Sequence, residues 1–354
     1  MFFYILLFLL LISLGLKFPK NRKIGIGIIV LLCFLSMFRA ESVGTDTAKY
    51  MDIPAMLMVF DEDGSSFLGK KSELITLSLY VIMQYYSLSS RLIVIFFSVM
   101  TSLFLYLALK KLKLSYCIGA IAFLVFFYLS SFNIARQICA CSIILFASTY
   151  LIERKKTYLF FIFVLLASLI HAASIFGVGL YFVYLISDYS LSKKKLTLLA
   201  MFLFMFNVIL PFNLIELLVS IFGKVSFAQT YSDIATTSSR SLMGIIQDTA
   251  KFLTAILVFN YGAKGKKMTL MDWFFYTAII TTIFSANAHS DVARIFLPIE
   301  FTKVLYLANL YKCDKKFICS VAYVSYMFVY TFFNLWAVSI GSGEVVPYSL
   351  SLSF

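Results

Sequence analysis

Charge is scarce in this sequence. Asp, Glu, Lys and Arg make up 13% of it, about half the share of a soluble domain. Proline is rarer still, with 5 in 354 residues, so long helices can run unbroken. Only 2 histidines and 6 cysteines occur. The cysteines stand at 33, 117, 139, 141, 313 and 319, without CxxC or zinc-ligand spacing, which excludes the usual redox and zinc motifs. Cys139 and Cys141 are two apart and project from different faces of a helix; all six read as small buried hydrophobes. The opening MFFYILLFLLLISLGL lacks a basic n-region and an A-x-A site, so it reads as a retained first helix and not a cleaved signal.

Apolar residues are what the sequence has in excess. They form 62% of the chain, with 39 Phe and 22 Tyr. Apolar runs of 17 or more residues recur along its length, each able to cross a hydrocarbon core of about 30 Å. A single soluble core is excluded, because nothing would cover so much apolar surface. The expected fold is all-α: one polytopic transmembrane domain over 1–354.

The net charge of +13 does not point to nucleic acid. Six short clusters between apolar runs, at 17–23, 110–113, 153–156, 193–195, 264–267 and 312–316, hold 19 of the 30 Lys and Arg. Short, strongly basic loops mark the cytoplasmic side of a membrane, and anionic lipid headgroups account for the excess. With every cluster inside, residues 2–16 cross inward and 24–40 outward, and 41–72 form an outer loop. Residues 73–88 are laid as an interfacial or re-entrant helix, since a crossing there would place 110–113 outside. Crossings follow at 90–109, 114–131 and 133–151. The stretch 157–187 reads as a hairpin of two short helices turning near His171. Then come 196–212, a second outer loop over 213–244, and crossings at 245–261, 268–286, 294–311 and 317–338. This gives about twelve crossings with both termini outside. Of the 17 acidic residues, 13 fall outside or near the outer edge, which agrees with that orientation.

Eleven basic residues remain: Arg39, Lys49, Lys70, Lys71, Arg91, Arg136, Lys224, Arg240, Lys251, Arg294 and Lys303. Ionisable groups in apolar segments cost about 2.5–3.5 kcal/mol each, so a functional role is the default reading. Asp248 with Lys251, Asp291 with Arg294, and Glu300 with Lys303 are each three apart and share a helix face; Lys251 and Lys303 read as paired structural charges. Arg136 has no carboxylate within helical reach. Asn133, Arg136, Gln137 and Ala140 follow i, i+3, i+4, i+7 and form a polar stripe at the outer end of a helix. His171 falls at the same level, in LIHAAS. His289 lies beside Arg294, also at an outer helix end. Asp46 follows the second helix, where it serves as an N-cap, a solvated turn or a functional carboxylate.

These groups converge on an outward-facing cationic cavity. Arginine suits phosphate oxygens through its planar fork of donors, so the cavity suits a lipid diphosphate. Tyr50, Tyr80, Tyr85 and Tyr86 are placed to stack on sugar rings or to form an interfacial belt.

The ordered set VGTDTAKY, NIARQICACSIIL, SLIHAAS and DVARIFLP, from residue 43 to about 300, resembles the EpsG-like branch of the Wzy-type polysaccharide polymerases; the ending VVPYSL echoes it. The resemblance implies a multi-pass protein of the bacterial inner membrane with its site facing the exterior. Its partners would be an undecaprenyl-diphosphate-linked glycan and membrane lipids, with a flippase and a chain-length regulator nearby. The reaction implied is en bloc transfer of a growing glycan from undecaprenyl diphosphate to a sugar hydroxyl of a new lipid-linked repeat unit, with no metal or other cofactor. Arg136 and Arg294 would bind diphosphate, with Arg240 or Arg91 assisting. His171 or Asp46 would act as general base or hold the acceptor. Gln137, Asn133, Tyr50 and His289 would contact substrate. A flippase of lipid-linked glycans should show two similar halves and charge through the whole bilayer; no repeat appears, and the charge gathers in the outer half. A ligase would share the donor chemistry. A transferase using a monosaccharide phosphate lipid would favour an early acidic pair in the first outer loop, whereas DED comes late, at 61–63.

Overall fold

The computed structural model describes residues 1–62, 73–189, 191–209, 241–262, 268–286, 293–310 and 316–351. Among them the chain is all-helical; the one isolated bridge pairs Arg39 with Leu350. Two compact units form. The first comprises Met1–Ile175, Leu307–Tyr311 and Tyr330–Phe354, and the second Phe176–Tyr306 and Lys312–Val329.

The first unit contains α1 (Phe2–Lys17), α2 (Arg22–Met37), α3 (Thr47–Met51), α4 (Ile53–Glu62), α5 (Leu74–Tyr85), α6 (Arg91–Lys111), α7 (Tyr116–Phe123), α8 (Ser130–Asn133), α9 (Ala135–Glu153) and α10 (Thr157–Ser168). A π-helical turn over Leu124–Tyr128 extends α7. Helix α9 lies at the centre, against α6 and α10, and Ile138–Leu145 are all fully buried. Apolar character around its whole circumference suits that position. A 3-10 turn over Ala172–Val178 follows α10.

The second unit contains α11 (Gly179–Ile186), α12 (Lys193–Ile209), α13 (Leu242–Gly262), α14 (Leu270–Ser285), a 3-10 turn over Arg294–Phe296, α15 (Leu297–Glu300) and the first half of α16 (Lys303–Leu310). Helix α17 runs over Lys316–Ser339. A capping box between Thr269 and Asp272 starts α14, and Lys193 Nζ lies 3.1 Å from the same Asp272 carboxylate. Lys303 meets Glu300 at 3.1 Å, as their spacing predicts, and also donates to Thr282 Oγ1 at 2.8 Å.

Among the described residues, four helices are long and apolar enough to cross a membrane: Arg91–Lys111, Ala135–Glu153, Leu242–Gly262 and Val321–Ser339. Others are shorter. The 16 residues of α1 or α2 rise about 24 Å, less than a full hydrocarbon core. Large apolar side chains point outward from them, among them Leu6, Leu9 and Leu10 on α1 and Leu198, Phe202 and Ile209 on α12. Such faces suit lipid and would be penalised in water.

Some expected boundaries change. The expected loop 41–72 contains α3 and α4. The predicted helix 73–88 is twelve residues long, and its first turn is tied to the end of α10 by Ile75 N–H to Leu169 O at 2.9 Å and Thr76 Oγ1 to Ile170 O at 2.8 Å. The expected loop 213–244 lies outside the described residues except for 241–244, which open α13. Cys33, Cys117, Cys139 and Cys141 are free thiols, the last three fully buried; the side chains of Cys313 and Cys319 lie outside the described set.

The first unit has two chemically distinct ends. At one, Asn21 caps α2 and Ser115 Oγ donates to Pro19 O at 2.6 Å. Arg22 lies over the Tyr116 ring, and Lys111 pairs with Glu153 at 3.4 Å. Three basic clusters therefore share that end. At the other, the tail is strapped along the segment after α2. Ala40 donates to Ser349 O, Ser351 to Phe38 O and Gly44 to Glu344 O. Tyr348 donates to Leu35 O at 2.7 Å and stacks on Phe3, while Tyr4 donates to Val345 O at 2.8 Å.

The α2–α7 crossing is set by Gly25, where a Cβ would meet Tyr116 Cβ at 2.4 Å and Cys117 N at 2.6 Å. Gly27, one turn-half away, faces open space. Gly25→Ala is expected to cost about 1–3 kcal/mol through overpacking, and Gly27→Ala to be neutral or slightly stabilising. Thermal denaturation of the two variants in detergent checks this; equal midpoints would contradict the crossing.

Candidate functional site

The chain breaks its helical course at Ile134 (φ −122°, ψ 47°), between α8 and α9. The anticipated continuous stripe 133–136–137–140 is therefore not formed: Asn133 ends α8, and Arg136 stands in the first turn of α9. A cation there opposes the helix dipole, so it needs an acceptor of opposite charge. Glu73, at the N-cap position of α5, supplies it, with Oε2 2.7 Å from Arg136 Nη1. The other oxygen, Oε1, accepts the Ala172 N–H at 3.0 Å and lies 2.9 Å from His171 Nδ1. One carboxylate, 2% exposed, thus joins three segments of the first unit.

Burial alone would raise the Glu73 carboxyl. The His171 contact, the Arg136 charge and the Ala172 amide outweigh it and hold Glu73 below the usual carboxylate value. Tyr50 and Tyr80 complete the surround. The Arg136 guanidinium sits 5.6 Å from the Tyr50 ring centre, a cation–π distance. Tyr50 donates to Asn133 O at 3.3 Å, and Tyr80 donates to Tyr50 O at 3.1 Å. His171 keeps about a quarter of its side chain exposed, so the cluster is open at the imidazole.

The neighbouring loop is built to hold this register. Gly44 has φ +90°, and a Cβ there would meet Phe132 O at 2.7 Å. Its neighbour Thr45 donates its N–H to Asn133 Oδ1 at 2.9 Å. Below it Arg39, fully buried, donates Nε to Thr47 Oγ1 at 2.9 Å and Nη1 to Ser36 O at 2.6 Å, with its guanidinium 5.0 Å from the Phe132 ring centre. Among the described residues Arg39 meets no carboxylate.

The expected residues thus divide. Tyr50, Asn133, Arg136 and His171 come together around Glu73. Asp46 occupies the N-cap position of α3 without a side-chain capping bond and pairs with Lys49 at 3.4 Å; Coulombically it neighbours Tyr50. Gln137 is buried in α9, 3% exposed. Arg91 is 2% exposed and donates Nη1 to Arg39 O at 3.0 Å, a tie on the backbone in place of an open charge. Arg294 stands half-buried in a 3-10 turn of the second unit. Arg240 and His289 lie outside the described residues.

Glu73 is the group sequence reasoning missed. Its signal was an acidic residue at the head of the apolar run LITLSLYVIMQY, but its partners lie 63 and 98 positions away, beyond any local spacing rule. The lack of a local carboxylate for Arg136 pointed to an open cationic site; the fold instead provides a distant one.

The sequence model of the EpsG family matches residues 22–350, nearly the whole chain. No curated protein and no solved structure matches.

Removing one member of a buried ion pair typically costs about 3–5 kcal/mol, because the other charge is stranded. Glu73→Leu is expected to lose that much, and Glu73→Leu with Arg136→Met to recover part of it, read as thermal midpoints in detergent. Because Glu73 titrates lower in the folded state, its contribution is present above the unfolded value of about 4.3 and is lost as pH falls through the lower folded value. The double variant should lose this acid-dependent component; an unchanged acid profile would contradict the assignment.

Proposed function

As the chain belongs to the EpsG family of Wzy-like polysaccharide polymerases, we propose that it joins lipid-diphosphate-linked oligosaccharide repeat units, undecaprenyl diphosphate being the lipid carrier. The observation that carries the reading to particular residues is the gathering of Tyr50, Glu73, Asn133, Arg136 and His171 at one end of the first unit. The basic clusters 17–23, 110–113 and 153–156 lie at the opposite end. With those clusters cytoplasmic, the His171 end faces outward. The N-terminal residues and the tail 345–351 adjoin the outward-facing loop, which supports the placement of both termini outside and so an even number of crossings; our reading keeps about twelve. The setting is the bacterial inner membrane, in a surface-polysaccharide pathway such as O-antigen, capsule or exopolysaccharide assembly, beside a flippase and a chain-length regulator.

Chemically, a sugar hydroxyl of the acceptor attacks the anomeric carbon of the donor glycan, and the bond to the lipid diphosphate breaks. Preorganised cations make the diphosphate a good leaving group. Arg136 supplies such a charge: Glu73 engages Nη1, while its guanidinium also reaches the Tyr50 ring. His171, partly exposed, takes the acceptor proton. Tyr50 and Asn133 shape the wall against which sugar rings rest, and Asp46 lies at its rim. The mechanism uses no metal or other cofactor.

Reconstitution in liposomes with a synthetic lipid-diphosphate repeat unit is expected to yield a ladder of glycan lengths. Arg136→Ala should lower its rate about 10²–10³-fold, the usual cost of removing one such electrostatic contact. Movement of the lipid across the bilayer without new glycosidic bonds would replace this reading with a flippase. For orientation, a cysteine at Lys155 should react with an impermeant maleimide only from the cytoplasmic side, and one at Ser349 only from outside; the reverse pattern would invert the site.

A further inference from the structure

Histidine used as a base must present an unprotonated ring nitrogen to the acceptor. Free imidazole gives no assurance of this, because either nitrogen can hold the proton. Here Nδ1 lies 2.9 Å from Glu73 Oε1. A buried carboxylate accepts hydrogen bonds and does not donate them. The same oxygen takes the Ala172 N–H at 3.0 Å, on the residue that follows His171. Glu73 therefore hydrogen-bonds the backbone of the turn and sets its charge beside the ring, where a bare Nδ1 lone pair would be repelled, although the Nδ1–H is not aligned on the oxygen as a full hydrogen bond. Its second oxygen is occupied by Arg136 at 2.7 Å, so the carboxylate cannot rotate away without stranding a buried charge.

We propose that Glu73 is a positioning residue that keeps the proton of neutral His171 on Nδ1, leaving Nε2 as the atom that accepts the acceptor sugar's hydroxyl proton. This rests on the glycosyl-transfer reading above. In the step, the acceptor oxygen forms the new bond to the anomeric carbon. The carbon–oxygen bond to diphosphate breaks, its electron pair leaving with the diphosphate, and the hydroxyl proton moves to Nε2. The imidazolium that results carries its Nδ1–H against Glu73, whose negative charge stabilises it. Arg136 thereby has two duties: it presents positive charge to the leaving group, and it holds the carboxylate that aligns the base.

The geometry also says what an isosteric change would do. In Glu73→Gln, Arg136 retains the amide oxygen, since a charge-assisted bond is the stronger. The amide NH₂ then faces Nδ1, where it can only donate. The ring must move its proton to Nε2, the wrong atom for a base. An Asp-to-Asn change beside a catalytic histidine in the serine-protease triad acts this way, with a loss of about 10⁴ in kcat.

The test reads the ring directly, independently of turnover. The full chain is labelled with 15N-histidine and placed in lipid nanodiscs, with His289→Gln to assign its two histidines. The neutral His171 ring should show a protonated Nδ1 and a bare Nε2 in the wild type, and the opposite in Glu73→Gln. Should Glu73→Gln fold poorly, Glu73→Leu with Arg136→Met removes both charges and should likewise release the tautomer. In the reconstituted assay, Glu73→Gln should lower kcat about 10²–10⁴-fold without raising KM for the lipid-linked donor, and His171→Gln added to it should cost little more. An Nε2-protonated ring in the wild type, a tautomer indifferent to Glu73, or an effect confined to KM would overturn the proposal. If the tautomers behave as expected but the wild type makes no polymer, the positioning stands and the functional reading falls.

Discussion

A carboxylate buried among apolar helices must be matched on every oxygen, and the geometry around Glu73 follows from that requirement. Its charge is met by Arg136 from α9, and its remaining oxygen by a ring nitrogen and a backbone amide after α10. Each of these partners is itself difficult to place elsewhere. Arg136 sits in the first turn of a helix, where the dipole repels it. The amide of Ala172 stands in the turn beyond α10, where it has no place in a continuing α-helical ladder. One buried anion resolves both, and it lies against one edge of the His171 ring, whose side chain stays about a quarter exposed.

The surrounding structure keeps that arrangement in register. Asn133 is held by the Thr45 amide, and Gly44 passes so close to Phe132 that a side chain would not fit. Arg39 fastens Thr47 to the end of α2, and Arg91 fastens the backbone at Arg39. The C-terminal strap closes over the same segment, with Tyr348 reaching Leu35 and stacking on Phe3. The motif VGTDTAKY and the ending VVPYSL, far apart in the chain, are thus two sides of one packed layer.

Arginine serves two ends here. Arg39 and Arg91 are enclosed; Arg39 donates to Thr47 Oγ1 and Ser36 O, and Arg91 donates to Arg39 O, holding backbone. Arg136 reaches both a carboxylate and an aromatic face in a cluster that opens at His171. Composition treats the three alike; only burial and partners separate a tie from a candidate ligand group.

Amphipathic and apolar runs are local properties, and the sequence by itself determined most helices to within a few residues: α1, α2, α6, α9, α13 and α14 lie close to the predicted spans, and the break at His171 was visible between two apolar runs. The basic end of the first unit was legible for the same reason, since its lysines and arginines lie in contiguous clusters. The pairing of Lys303 with Glu300 also followed from spacing along one helix. Tertiary structure alone decided the partner of Arg136, the split of the polar stripe at Ile134, and the enclosure of Arg39 and Arg91. Those outcomes depend on which distant segments come within hydrogen-bonding distance, and no local periodicity encodes that.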